Sequence, residues 1–186
     1  MTEARHAIAL DLGGTDLKFA RVARDGSVLD AGQLPSRALD GEKALLSVLA
    51  GATAGLRDGA CAVGLGCPGV IDPRTGAIVD ETPHLSLPKN FPITERLSRA
   101  LELPVYADND ANLAAWGEAR MGAARGARVS VTFTVGTGVG CGIVAEGRVL
   151  RGAWGGAGEV SHAGMRSPGP ACECGEPVLE LTSKWL

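Results

Sequence analysis

Basic charge is scarce in this chain of 186 residues: 18 Lys and Arg stand against 21 Asp and Glu, for a net charge of -3. With a pI near 5.6 and no basic stripe to follow a phosphate backbone, nucleic acid is not expected as a partner. Cysteine is also sparse and odd in number, five, at Cys61, Cys67, Cys141, Cys172 and Cys174. Three of them stand singly in apolar or glycine-rich runs, which argues against a secreted disulfide framework. Long hydrophobic runs are missing as well. Too few apolar residues separate His6 from Asp11 to form a signal-peptide core. Val129 to Ala145 is near the minimum length of a membrane helix, but Val129, Val131, Phe133 and Val135 alternate with Ser130, Thr132 and Thr134 before glycines interrupt. That period of two marks a strand, a turn and a second strand, Cys141 to Ala145. The chain is expected to be cytoplasmic, without a membrane partner.

Proline is limited to 10 residues and glycine does not recur at every third position, which excludes a collagen-like chain. Disorder is excluded by 45% hydrophobic against 21% charged residues, enough apolar surface to outweigh the entropy of ordering. What the chain does have is glycine, 27 residues of it, about twice average usage. In a folded protein that excess has to sit at turns and close approaches.

The order of elements follows from periodicity and punctuation. Ala7 to Leu12, Leu17 to Val22 and Ser27 to Gln33 read as a meander of three strands. Asp40 is positioned to cap a helix through Ala44, Leu45, Val48, Leu49 and Ala52. Ala60 to Gly66 is a strand ended by Pro68-Gly69, and Asp72 to Gly76 turns a small hairpin. Asp80 to Pro92 reads as a loop, Ile93 to Leu101 as a helix, Val105 to Ala107 as a strand and Ala111 to Met121 as a helix opened by Asn109-Asp110. The pattern is βββ-α-β-α-β-α followed by a second meander. It sets an α/β chain of one domain or two small lobes, here divided as 1–121 and 122–186.

Three clusters could do chemistry. Asp11-Leu12-Gly13-Gly14-Thr15 lies between two strands. Its glycines can bring backbone N–H groups close to an anion, Thr15 adds a hydroxyl, and Asp11 can hold a hydrated Mg²⁺ beside a phosphate. It is neither a Walker A loop nor a dinucleotide fingerprint, and taken alone such a Gly-Gly turn is more often a plain hairpin. Gly136-Thr137-Gly138-Val139-Gly140 repeats the design, so two such turns could clamp the phosphates of one nucleotide. Between them, Asp108-Asn109-Asp110-Ala111-Asn112 sets a carboxylate that can take a proton from a sugar hydroxyl beside an amide that can orient the sugar. Simple helix capping is the alternative there.

Taken in order with Cys67-Pro68-Gly69 and Gly155-Gly156-Ala157-Gly158-Glu159-Val160-Ser161-His162, these motifs resemble the ROK family of repressors, open reading frames and sugar kinases, from about Ala7 to Gly175. The resemblance implies an actin-like, ribonuclease H-like fold with ATP and sugar in a cleft, the second lobe being incomplete here. It implies a glucokinase-like hexose kinase with Asp110 as the catalytic base. Gly69, Asn109, Glu159 and His162 would serve the sugar, as would Glu180 if it is the displaced glutamate of the family motif. Asp11, Gly13, Gly14, Thr15, Lys18, Gly136, Thr137 and Gly138 would serve the phosphates of ATP with Mg²⁺.

His162, Cys172 and Cys174 match three ligands of the family's zinc site, but the last cysteine of the motif is absent, leaving Glu176 or water as a fourth ligand. Asp16 stands where many members have lysine, His84 where a sugar-contacting asparagine is common, and Ser161 where glycine is usual. The chain ends at Lys184-Trp185-Leu186, where family kinases continue, so a truncated, frame-shifted or excerpted form is expected. Apolar surface left by the missing helices would favour a homodimer or aggregation. The alternatives are a non-catalytic sugar-binding remnant and a sugar-responsive transcription regulator, the latter disfavoured because only ten residues precede Asp11.

Overall fold

The computed structural model describes residues 6–136 and 138–160. It divides between Asp110 and Ala111 into two compact units. Among the described residues the first unit holds β1 (His6–Leu12), β2 (Asp16–Ala23), β3 (Val28–Pro35), α1 (Glu42–Thr53), β4 (Ala60–Cys67), α2 (Ile93–Leu101) and β5 (Val105–Asn109). The second unit holds α3 (Asp110–Met121) from Ala111 onward, with β6 (Val129–Val135), β7 (Val139–Ala145) and β8 (Arg148–Val149). The element order matches the reading from periodicity, with β8 added.

The first unit is a five-stranded sheet in the order β3-β2-β1-β4-β5. β1 pairs antiparallel with β2 and β2 with β3, while β1, β4 and β5 run parallel. Strand alternation sorts the residues: Ile8, Leu10 and Leu12 of β1 and Val63, Leu65 and Cys67 of β4 are buried in one core with Leu45 and Leu49 of α1 and Leu97 and Leu101 of α2. Each such aliphatic side chain contributes about 1.5–3 kcal/mol by leaving water. In α2, Ile93, Leu97 and Leu101 recur at helical spacing and are all buried, and Glu102 ends the helix in the left-handed region at φ 55°. Gly32 faces Phe19 across β2 and β3, and a Cβ there would come within 2.7 Å of the ring. The missing side chain lets the aromatic ring lie across the strand.

One expectation is corrected. Asp40 does not cap α1: the N-cap is Gly41 at φ 89°, with no side-chain cap bond, and the Asp40 carboxylate instead pairs with Arg37 at 2.7 Å. Residues 80–92 form a loop, as read from the sequence, but one whose side chains enter the core. Phe91 bridges to Ile78, Leu85 bridges to Thr82, and Leu85, Leu87 and Phe91 are buried in the core. Their prolines suppress a regular period, but their apolar side chains close the sheet's core face.

The second unit is the antiparallel meander β6-β7-β8 with α3 packed on β7. A Cβ on Gly142 would run into the Ala111 carbonyl oxygen and come within 2.5 Å of the Ala115 Cβ; one on Gly140 would lie 2.8 Å from the Ala111 Cβ. These glycines let helix and strand approach. The alternation of β6 faces opposite to a simple buried strand: Val129, Val131, Phe133 and Val135 are 52% to 60% exposed, while Thr134 turns its hydroxyl toward Gly140. Among the described residues no helix is long and apolar enough to cross a membrane.

Candidate active site

The parallel strands β1, β4 and β5 end side by side, and their carboxyl ends collect the residues singled out in the sequence. Register carries one row across all five strands: Gln33, Lys18, Asp11, Gly66 and Asp108. Paired residues share a face, so Lys18, Asp11 and Asp108 lie on the sheet face opposite the core. Asp11 and Asp108 are two strand spacings apart, roughly 10 Å, with side-chain-free Gly66 between them. Asp11 and Lys18 are both exposed. A single exposed carboxylate suits Mg²⁺, which keeps most of its water and takes only one or two protein carboxylates beside phosphate.

The turn after β1 is tight. Gly13 donates its N–H to the Asp16 carbonyl at 2.8 Å, and a Cβ on Gly13 would press to 3.1 Å from that oxygen. Ser36 holds the turn from the other side, its Oγ donating to the Gly14 carbonyl at 3.0 Å and its N–H to the Thr15 carbonyl at 2.9 Å. The carbonyls are thereby turned into the protein. The Gly14 and Thr15 N–H groups have no partner among the described residues, and together with the Thr15 hydroxyl they form the donor set of this turn. Gly13 contributes its compactness, because its own N–H is already used.

At the end of β4, Cys67 is buried against β5, its thiol 4.0 Å from the Asp108 carbonyl oxygen. Burial, with the Asp110 and Asp108 charges added, pushes that thiol up to about 12. The Asp110 carboxylate therefore lies within electrostatic reach of the Cys67 site. Gly69 follows at φ 92°, a conformation that favours glycine, and its carbonyl accepts from the Asn109 side-chain amide at 3.2 Å. Asn109 also donates its backbone N–H to the Asp108 carboxylate at 2.9 Å. Asp110 is the first residue of α3. Cys67, Gly69, Asn109 and Asp110 thus form one cluster, as the sequence motifs imply.

In the second unit, Gly136 donates its N–H to the Gly138 carbonyl at 2.9 Å, closing the tip of the β6–β7 hairpin. Gly140, read as part of that phosphate turn, serves the packing of α3. Glu159 follows Gly158, whose φ is 95° and where a Cβ would run into the Cys141 carbonyl oxygen. Burial and the Glu159 charge both push the Cys141 thiol up, which puts the Glu159 carboxylate beside β7. Thr137, His162, Cys172, Cys174 and Glu180 lie outside the described residues.

His84, which departs from the family pattern, and Thr82, which no motif marks, both lie beside the first unit's glycine turns. The Thr82 methyl lies 3.6 Å from where a Cβ on Gly69 would stand, and His84 Nδ1 lies 3.5 Å from where one on Gly14 would stand. The only signal in the sequence was a histidine inside a proline-rich stretch. The other described histidine, His6, is buried with its ring nitrogen 2.8 Å from the Leu56 carbonyl and is structural.

Comparison with known proteins shows the family and the fold. The ROK family profile matches residues 7–178. A glucokinase of Halalkalibacterium halodurans is 37% identical over 180 residues, 92% of this chain and 54% of the relative. An N-acetylmannosamine kinase of Shigella boydii is 38% identical over 170 residues, 90% of this chain and 57% of the relative. The crystal structure of a ROK family glucokinase from Streptomyces griseus, in complex with glucose and AMPPNP, superposes with a TM-score of 0.83 at 30% identity, over 93% of this chain and 55% of that one. The chain therefore spans a little over half the length of these relatives, and its first unit and meander have the actin-like ATPase fold of ROK sugar kinases.

Proposed function

The chain belongs to the ROK family, and on that premise we propose that it carries the phosphate turn, the base and much of the sugar-binding set of an ATP-dependent hexose kinase. One observation carries the reading: Asn109-Asp110 at the end of β5 is tied through the Asn109 amide to Gly69 at the end of β4. Ligands of open parallel sheets bind beyond the carboxyl ends of the strands. The glucokinase and N-acetylmannosamine kinase relatives support a hexose as the acceptor.

In this reading Asn109, Gly69 and Glu159 hold sugar hydroxyls, and the Asp110 carboxylate takes the proton of the attacking one. The sugar oxygen bonds to the γ-phosphorus, the bond to the β-phosphate oxygen breaks, and ADP leaves. Phosphoryl transfer needs chiefly alignment and charge neutralisation. Gly14 and Thr15 supply donors to the phosphates, Gly136 and Gly138 shape the second turn, and Lys18 supplies positive charge. Mg²⁺ at Asp11 neutralises phosphate charge when bound. A zinc ion on His162, Cys172 and Cys174 would brace the sugar side; metal analysis of the purified chain before and after chelation tests it.

The deciding experiment follows phosphorylation of glucose and of N-acetylmannosamine by ³¹P NMR, with Asp110→Asn as control. Product from the wild-type chain and none from the variant supports the reading; equal rates remove Asp110 as the base. A second reading is a sugar-binding form without catalysis. Separate calorimetric titrations with glucose and ATP distinguish it, since it requires heat from the sugar alone.

A further inference from the structure

We infer that His84 is a phosphate-contacting residue of the β1–β2 turn, its imidazole completing the donor set that Gly14 and Thr15 begin. The inference rests on the proposed nucleotide reading of that turn. His84 is partly buried and lies across Gly14: from the position of a Cβ on Gly14, His84 Nδ1 is 3.5 Å away, its Cβ 3.7 Å and its Cγ 3.9 Å. A side chain at residue 14 would take up the space between the imidazole and the turn. Glycine leaves the Nδ1 edge of the ring beside the backbone that offers the Gly14 and Thr15 N–H groups.

The ring is placed by its own segment. His84 donates its backbone N–H to Thr82 Oγ1 at 3.3 Å, and Leu85 donates to the Thr82 carbonyl at 3.2 Å. The Leu85 side chain is buried in the core, and Ser86 donates to the Ala38 carbonyl at 2.9 Å. The stretch on either side of His84 is thus fixed, unlike that of a swinging surface histidine. Among the described residues neither imidazole nitrogen has a hydrogen-bond partner, in contrast to the His6 ring held on the Leu56 carbonyl. A partly buried, prepositioned and unused imidazole beside two unused N–H groups is a donor set that lacks its acceptor.

Charge points the same way. At the turn-proximal ends of the strands Asp11 and Asp16 stand against Lys18, while Arg21, further along β2, donates to the Gly55 carbonyl. On the histidine's own segment Asp80 pairs with Lys89 at 3.6 Å, leaving Glu81, and on the neighbouring segment Arg37 pairs with Asp40. Among the described residues, Lys18 is the cation of these elements nearest the turn that makes no ion pair there. An imidazole N–H beside the turn adds a hydrogen-bond donor for an anion held there.

The test uses the full chain with ¹⁵N-labelled histidine, inorganic tripolyphosphate with Mg²⁺ as the probe, and glucose as a separate ligand. His84→Gln assigns the resonances. Tripolyphosphate is expected to shift the His84 ring-nitrogen signals while the His6 signals stay in place. His84→Ala is expected to weaken tripolyphosphate binding about tenfold, equivalent to about 1.4 kcal/mol, with an unchanged unfolding midpoint; His84→Gln, which keeps a donor, should lose less. Binding with unmoved His84 signals and unchanged variant affinity overturns this inference and leaves the phosphate turn standing. Signals that answer to glucose and not to tripolyphosphate place the imidazole on the sugar side and also overturn it. No binding of tripolyphosphate to the wild-type chain overturns both the turn's assignment and the role of His84.

Discussion

The Asn109 side-chain amide donates to the Gly69 carbonyl at 3.2 Å, joining the ends of two neighbouring parallel strands. Residues separated by 40 positions in the chain thereby become one device. Gly69 must adopt φ 92° to present that carbonyl, and Asn109 must stand at the last position of β5 to reach it.

Substituting Gly69 tests the strain in this link. Gly69→Ala has room, since the Thr82 methyl is 3.6 Å from the new Cβ, so the cost is conformational, about 1–2 kcal/mol. Urea unfolding should show that loss, and hexose binding should weaken with it. An unchanged unfolding curve would mean the backbone at residue 69 relaxes freely.

Asp110→Asn keeps size and removes basicity. If Asp110 is the base, hexose phosphorylation should fall about 10²–10⁴-fold, while the calorimetric affinity for the sugar changes little. A parallel loss of affinity would assign Asp110 to sugar binding instead.

The glycines of β7 are packing residues. Gly142→Ala forces a methyl onto the Ala111 carbonyl and the Ala115 side chain and should cost about 1–3 kcal/mol. Gly64→Ala in β4, where nothing lies within 4 Å of the new Cβ, is the control and should be neutral or stabilising by up to about 1 kcal/mol. Thermal unfolding of the two variants separates these outcomes.

The Cys67 thiol is pushed up to about 12 in the folded protein, whereas an unfolded cysteine titrates near 8.5. Above about pH 8.5 the unfolded chain loses this proton and the folded one keeps it. The stability from the neutral thiol is therefore fully present below that pH and lost as pH rises toward 12, at up to about 1.4 kcal/mol per pH unit. Cys67→Ala should flatten that part of the unfolding free energy against pH. At pH 8 a thiol reagent should modify the exposed Cys61 and spare Cys67.

The apolar face of β6 predicts self-association. Val131 and Phe133 are 52% and 57% exposed beside Val129 and Val135, a contiguous patch of the kind that drives association. Sedimentation should show concentration-dependent oligomers that Val131→Asp with Phe133→Asp disperses. Monomers at all concentrations in the wild type would remove this expectation.

By itself the sequence determined what depends on near neighbours: the order of strands and helices, the glycine turn between β1 and β2, and the grouping of Asn109 and Asp110 at a helix start. Those features follow from periodicity and turn chemistry, which act over a few residues. Tertiary structure decided what depends on contacts between distant segments. Asp40 is a sound capping residue locally, yet Arg37 holds it and Gly41 caps α1. Residues 80–92 lack a period because their burial comes from isolated bridges to Ile78 and Thr82 and not from a regular face. Gly140 resembled a phosphate glycine in the chain, but the approach of Ala111 explains it. His84 gained its place only when folding laid it across Gly14, a juxtaposition of segments some 70 residues apart that no local pattern encodes.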